Sequence, residues 1–143
     1  MVSDIITTKN DSVNIKGLLT SVTDQSYKNI EIILIDNNSS DSTKEIAKRF
    51  TNKVYNFGPE RSAQRNFGAK IAKGNFLLFL DADMELSEKV IEESVNSINS
   101  STKFAGVIIP EKSVAKTFWE KVKAYERSFY NEKGDEITDA ARF

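Results

Sequence analysis

The stretch NFLLFLDADMEL, Asn75–Leu86, contains five large apolar residues that are followed at once by two carboxylates one residue apart. The length and bulk of Phe76–Leu80 predict a strand buried on both faces of a parallel sheet, and open α/β sheets bind ligands at the carboxyl ends of their strands. In extended backbone, Asp81 and Asp83 point to the same side, with Ala82 leaving the space beside them open. Two close carboxylates need a cation. The alternative is a polar turn with two helix-capping acids.

The composition favours one small domain. The 143 residues are enough for a single core, and 20 basic against 21 acidic residues leave no footprint of a nucleic-acid partner. No apolar segment approaches the roughly 20 residues that cross a bilayer. We therefore expect no transmembrane segment in this chain and a cytoplasmic location, at the membrane surface if a longer parent protein carries an anchor.

The chain contains no histidine and no cysteine. These absences remove the commonest general base, the thiol nucleophile and the usual ligands of zinc. Any catalysis must then use carboxylates, and any bound metal must accept oxygen ligands. Mg²⁺ and Mn²⁺ are the cations that meet this requirement.

Apolar runs alternate with helical patterns along the chain. The pattern predicts an α/β fold, a mostly parallel sheet with helices on both faces, in a single domain 1–143. Five strands are predicted, Val2–Thr7, Ile30–Ile35, KVYNFG, Phe76–Leu80 and Phe104–Ile109. Three predicted helices are given by their ranges, Val13–Val22, Ser87 to about Ile98, and Val114–Tyr130. A fourth has Ser40 as its N-cap and Phe50 on its inner face. A fifth has Pro59 near its first position and Gly74 just past its end. The last segment, Ile137–Phe143, is predicted as a strand at which the chain stops, so a C-terminal truncation is expected.

Further polar residues follow the other strands. Asp36 ends the second strand, where doubly wound folds place an acid that binds a nucleotide, although a turn-forming role is the alternative. Arg61 and Arg65 have i, i+4 spacing and either turn toward phosphates or form a solvated helix face. No glycine-rich phosphate loop is present. A cation on Asp83 is therefore the candidate for holding a nucleoside diphosphate and stabilising it as a leaving group.

The ordered segments TTKND, SYKNIEIILIDNNSSDSTKEIAKRF, ERSAQRNFGAKIAKGNFLLFLDADM and AARF resemble the family 2 glycosyltransferases with the GT-A fold. The resemblance covers almost the whole chain. It implies inverting transfer of a sugar from a nucleotide diphosphate sugar to an unknown acceptor, which is a saccharide, a lipid-linked molecule or a protein. The cofactor it implies is Mn²⁺ or Mg²⁺, held by the D-x-D motif.

The resemblance also implies roles for individual residues. Thr8 and Asp36 would contact the nucleoside, and Arg61 or Arg65 the base or the phosphates. In the metal-binding motif, Asp83 would bind the metal and thereby the diphosphate, whereas Asp81 would face the ribose or the sugar side.

The sequence departs from the family pattern in two places. Thr7 and Lys9 stand where members often have proline and tyrosine, and the family's catalytic base lies in an E-D motif later than AARF, so it is expected beyond Phe143. A non-catalytic nucleotide-sugar-binding module is therefore an alternative. A second alternative is a haloacid-dehalogenase-like phosphatase, whose D-x-D pattern continues to a threonine or valine where this chain has Glu85.

Overall fold

The computed structural model describes residues 1–100, 105–110 and 125, and the chain divides into two compact units, 1–105 and 106–143. Every element described below lies in the first unit. Whether the whole chain forms one domain stays a prediction. Of the predicted helix Val114–Tyr130, only Tyr125 is described, and it is helical. The predicted strand Ile137–Phe143 lies outside the described residues.

Four parallel strands form the sheet, in the order β3-β2-β1-β4. The strands are β1 (Val2–Thr8), β2 (Ile30–Asp36), β3 (Val54–Asn56) and β4 (Phe76–Asp81), and the helices are α1 (Ile15–Thr23), α2 (Thr43–Ala47), α3 (Arg61–Ile71) and α4 (Val90–Asn99). Each connection between strands contains a helix, as parallel pairing requires. The α/β class that the sequence predicts is confirmed. None of the helices in the described residues is long and apolar enough to span a bilayer.

Helices cover both faces of the sheet because side chains alternate along each strand. On one face, Ile6, Leu34 and Leu80 pack against α1 and α2 in a buried cluster, and Val2 packs against α4. On the other face, α3 crosses β1 and β2. Its close approach depends on Gly68, where an added Cβ would lie 2.4 Å from a methyl carbon of Ile5.

Strand β4 is not buried on both faces, so that prediction is wrong. Leu77 and Phe79 remain 43% and 41% exposed. The reason is their position, since β4 is the last strand of the described sheet and α3 packs over β1 and β2 instead. The alternate residue Leu80 points to the opposite face and is buried.

Several predicted helix ends are wrong for local reasons. Helix α2 begins at Thr43 and ends before Phe50. Ser40 does not cap it, because Ser42 holds the N-cap position, while the Ser40 hydroxyl and main-chain N–H both donate to Asn10 Oδ1 in a contact between two loops. Helix α4 begins at Val90 rather than after Ser87, whose carbonyl oxygen instead accepts hydrogen bonds from Gln25 and Val90.

The ends of α3 are also shifted from their predicted positions. The helix starts at Arg61, two residues after Pro59, and ends at Ile71. Gly74 lies further along, where its N–H donates to Ser3 Oγ at 2.8 Å. An added Cβ there would lie 2.7 Å from the main-chain nitrogen of Ser3, so this glycine allows the chain to re-enter the sheet.

The predicted fifth strand is also wrong where it is described. Phe104 lies outside the described residues, and residues 105–109 are not in a strand. Within the part of the chain that the structure describes, this segment is not among the paired strands of the sheet. Strand formation needs such a ladder of hydrogen bonds, which an apolar run alone does not supply.

Candidate functional site

The carboxyl ends of the strands bring polar side chains into one row. The register aligns Thr8 of β1 with Asp36 of β2, and Asp36 with Asn56 of β3. On the other side of β1, Thr7 is aligned with Asp81 of β4. Since ligands of open parallel sheets bind at this edge, the row is the candidate functional site.

Asp81 is the centre of a charged cluster. Its Oδ1 accepts hydrogen bonds from Thr7 Oγ1 at 3.0 Å and from the guanidinium of Arg65 at 3.2 Å. Its Oδ2 accepts one from the guanidinium of Arg61 at 3.1 Å. Both arginines that the sequence singles out therefore contact one carboxylate, while the Arg61 side chain, 67% exposed, also fits the solvated-face alternative in part, and contact with phosphates stays a prediction.

Helix α3 carries the two arginines and is fixed to the strand ends by Gln64. The buried Gln64 Nε2 donates to the carbonyl oxygens of Ile35, at 2.8 Å, and Thr8, at 3.3 Å. Because residues four apart lie on the same side of a helix, this anchor fixes the direction in which Arg61 and Arg65 extend.

Asp83 is exposed and does not continue the strand. Strand β4 ends at Asp81, and the main-chain N–H of Met84 donates back to the Asp81 carbonyl oxygen at 3.1 Å, which closes a turn. Asp81 and Asp83 therefore do not converge through extended backbone, and that prediction is wrong. Ala82 does not leave open space either, because it is buried in the core cluster beneath α1.

Asp36 is fully buried and organises the turn that follows β2. Its two oxygens accept hydrogen bonds from the main-chain N–H of Ser39 at 2.6 Å and from Ser39 Oγ at 2.5 Å. The ammonium group of Lys44 lies 3.9 Å from Oδ2. The turn-forming alternative is thus observed, while contact with a nucleoside stays a prediction.

The loops after β1 and β2 are joined to each other by hydrogen bonds. Asn10 N donates to Ser39 Oγ at 2.7 Å, and Ser12 N donates to Asp41 Oδ2 at 3.0 Å. A hydrogen bond from the Thr43 hydroxyl, helped by the main-chain N–H groups of Ser12 and Thr43, lowers the pKa of Asp41 to about 2. These hydrogen bonds hold together the two loops that follow Thr8 and Asp36.

Two groups at this edge were not predicted as site residues. Thr7 holds Asp81, which a proline at that position could not do, and Asn56 lies exposed beside Asp36. The only sequence signal for either was its place at the end of a strand. Thr8 was predicted, and its buried Oγ1 has no hydrogen-bond partner in the described part of the chain.

Two further carboxylates lie away from this edge. Asp4 is buried within β1 with no hydrogen-bond partner among the described residues, and burial raises its pKa to about 7. At the amino end of the sheet, burial raises the pKa of Glu31. Hydrogen bonds from Lys53, Ser3 Oγ and Lys73 N outweigh that effect and lower the pKa to about 2. Neither group is in a position to act at the carboxyl edge.

Comparison with known protein families finds a match over most of the chain. The family described as "Glycosyl transferase family 2" matches residues 3–142. The chain belongs to that family. Membership confirms the resemblance inferred from the ordered segments and decides against the phosphatase alternative.

Two curated relatives match this chain over part of their own length. Glycosyltransferase AglE of Haloferax volcanii is 35% identical over 109 residues, a match that covers 70% of this chain and 36% of AglE. The GalNAc(5)-diNAcBac-PP-undecaprenol beta-1,3-glucosyltransferase of Campylobacter jejuni is 34% identical over 107 residues, covering 68% of this chain and 34% of the relative. The chain thus spans about a third of the length of these relatives.

Solved structures agree on the fold. S. aureus TarS 1-349 in complex with UDP-GlcNAc has a TM-score of 0.63 at 25% identity, covering 80% of this chain and 38% of TarS. Mannosyltransferase PcManGT from Pyrobaculum calidifontis in complex with GDP-Man and Mn²⁺ has a TM-score of 0.61 at 21% identity, covering 68% of this chain and 32% of that protein. The GT-A fold is therefore confirmed.

Proposed function

We propose that this chain is the nucleotide-sugar-binding part of an inverting, metal-dependent glycosyltransferase. The observation that supports this most is the cluster in which Thr7, Arg61 and Arg65 surround Asp81 at the carboxyl edge of the sheet. A cluster with two guanidinium groups suits the diphosphate of a donor, since arginine matches phosphate oxygens in charge and geometry. The relatives and solved structures support a nucleotide sugar as the ligand.

The nucleoside is proposed to lie over Thr8 and Asp36. The buried, unpartnered hydroxyl of Thr8 supports this, because a buried polar group without a partner is costly unless a ligand completes its hydrogen bonds. Asp36 already accepts two hydrogen bonds from Ser39. A carboxylate has lone pairs for about four, but the Asp36 side chain has no exposed surface, so a ribose or a base would reach it only if Ser39 or Lys44 moved aside.

The residues of this chain supply some, but not all, of the ligands that a hard divalent cation needs. Asp83 and Asp81 supply carboxylate oxygens of the kind that Mn²⁺ and Mg²⁺ prefer. No group of three or more acidic residues that would hold a metal by itself occurs in the described residues. The remaining ligands would then be diphosphate oxygens and water, which is how Mg²⁺ is commonly held. Bound there, the cation would neutralise charge on the departing diphosphate.

Transfer itself requires a base that removes the proton of the acceptor hydroxyl. We propose that this base lies beyond Phe143, since Asp36, Asp81 and Asp83 all lie at the donor side. The name of the Campylobacter jejuni relative favours a lipid-linked saccharide as the acceptor. The 143-residue chain is then expected to bind donor and hydrolyse it slowly at most, whereas a version extended past Phe143 transfers sugar.

Calorimetry with UDP and GDP, each with and without Mn²⁺, tests the binding proposal. We expect one nucleotide to bind with an affinity that depends on the metal. Equal affinity without Mn²⁺, or binding of neither nucleotide, would contradict it. A donor-consumption assay on the short and extended chains then separates an enzyme from a non-catalytic binding module, because only the former transfers sugar when extended.

A further inference from the structure

The two arginines on Asp81 differ in how firmly they are held. The Arg61 side chain is 67% exposed and contacts Asp81 through Oδ2. The Arg65 side chain is 37% exposed, contacts Oδ1, and has a buried Nε without a hydrogen-bond partner in the described part of the chain. Oδ1 and Oδ2 of Asp81 thus contact different arginines, and Arg61 on Oδ2 is the more exposed of the two.

This difference decides which arginine can leave. Water competes for an exposed ion pair, so separating Arg61 from Asp81 costs little. Arg65 already has a desolvated donor, and taking away its carboxylate partner would leave a partly buried charge uncompensated, which is costly. Thr7 also holds Oδ1, the oxygen that Arg65 contacts. Arg61 is therefore the partner that separates from Asp81 at lower cost, and Oδ2 is the oxygen that its separation would release.

Oδ2 is also one of the carboxylate oxygens open to the proposed cation, since Asp81 is one of its two proposed ligands in this chain. Arg61 is the only hydrogen-bond partner of that atom among the described residues. A guanidinium and a metal ion carry the same sign of charge and cannot share the oxygen without repulsion. Arg61 and the cation therefore compete for it.

We propose that Arg61 is a switch that couples metal binding to nucleotide binding. Without a nucleotide it occupies Oδ2 of Asp81 and suppresses binding of the metal alone. When a nucleoside diphosphate arrives, Arg61 moves to the phosphate oxygens and leaves Oδ2 to the cation, so that metal and nucleotide bind together. This inference rests on the proposed function, and it assigns to Arg61 a positioning role toward Asp81.

The test is a titration of Mn²⁺ alone, followed by electron paramagnetic resonance, on the wild type and on Arg61→Gln. Removing a competing exposed ion pair should tighten Mn²⁺ binding about two- to fivefold. If the wild type binds Mn²⁺ too weakly to measure, binding should become measurable in the variant. Arg49→Gln, which removes an exposed arginine that follows α2 and is not among the ion pairs of the described residues, is the matched control and should change nothing.

Two further measurements make the test specific. In the presence of Mn²⁺, UDP should bind Arg61→Gln more weakly than the wild type, the opposite direction from Mn²⁺ alone. Adding Asp81→Asn to Arg61→Gln should abolish the gain in Mn²⁺ affinity. A general loss of structure would lower both affinities, and an unfolding temperature equal to that of the wild type shows that the variant folds.

Unchanged or weaker binding of Mn²⁺ alone to Arg61→Gln would overturn the switch. Failure of the proposed function is distinguishable from this result. If the proposed function is wrong, the wild-type protein binds neither UDP nor GDP in the presence of Mn²⁺, whatever effect Arg61→Gln has on the affinity for Mn²⁺ alone.

Discussion

The hydroxyl of Thr7 donates a hydrogen bond to Oδ1 of Asp81 at 3.0 Å, across adjacent parallel strands. Thr7 is buried, and it gives Asp81 a fixed position before any ligand binds. We expect Thr7→Val to lower the free energy of unfolding by about 1 kcal/mol, because it removes one hydrogen bond to a charged acceptor without changing the shape. Urea unfolding measures this. A value equal to that of the wild type would show that the contact contributes nothing.

Thr8→Val is the matched substitution on the next residue and should behave differently. The buried Oγ1 of Thr8 has no partner in the described part of the chain, so replacing it with a methyl group should leave the stability unchanged or raise it. The same change should weaken nucleotide binding if the hydroxyl contacts the nucleoside. Calorimetry and urea unfolding on one sample separate the two effects. A large loss of stability would mean that the hydroxyl has a structural partner.

Asp4 should make the protein less stable as the pH rises. Burial raises its pKa from 3.8 to about 7, so between these values the folded state binds a proton that the unfolded state has lost. Stability therefore falls as the pH rises from about 4 to 7, by an amount of about 4 kcal/mol for three pKa units. Asp4→Val should raise the stability at pH 7 and flatten this slope. Urea unfolding across the pH series would contradict the account if the variant keeps the wild-type slope.

Glu31 should make the protein less stable as the pH falls, which is opposite to the effect of Asp4 and occurs at lower pH. Its pKa falls from 4.5 to about 2, despite burial, because Lys53, Ser3 and Lys73 N hold the ionised form. Its stabilisation is present above pH 4.5 and is lost as the pH falls toward 2. Glu31→Gln should cost about 1–2 kcal/mol at pH 6 and much less near pH 2. The exposed Glu88→Gln is the control, and equal effects of the two changes would refute this role.

Much of the fold could be predicted from the sequence because its strands carry strong local signals. The apolar run of β2 is largely buried, as its composition indicates, whereas β1 is buried throughout although it contains Ser3 and Asp4. The exposure of Leu77 and Phe79 could not be predicted, because an apolar run does not say whether its strand lies at an edge. The start of α2 could not be predicted for a similar reason, because Ser40 forms a hydrogen bond to Asn10, in a loop distant in sequence.

The sequence predicts which residues lie at the candidate site, but it does not predict which of them contact each other. The i, i+4 spacing put Arg61 and Arg65 on one side of α3, and the apolar run placed Asp81 at a strand end. That both arginines would contact Asp81 depends on how α3 crosses the sheet, which Gly68 and Gln64 determine through tertiary packing. Asp83 was expected beside Asp81 on extended backbone, and the turn at Ala82 shows why spacing alone was insufficient.

The central claim is that metal and nucleoside diphosphate bind together through the acids of this edge, and one calorimetric comparison tests it most directly. UDP, or GDP if that is the nucleotide bound, is titrated with and without Mn²⁺ into the wild type, Asp83→Ala and Asp36→Asn. We predict that Asp83→Ala abolishes the gain in affinity due to the metal, whereas Asp36→Asn weakens binding but keeps the metal requirement. Identical behaviour of the two variants, or a metal effect that survives in Asp83→Ala, would contradict the claim.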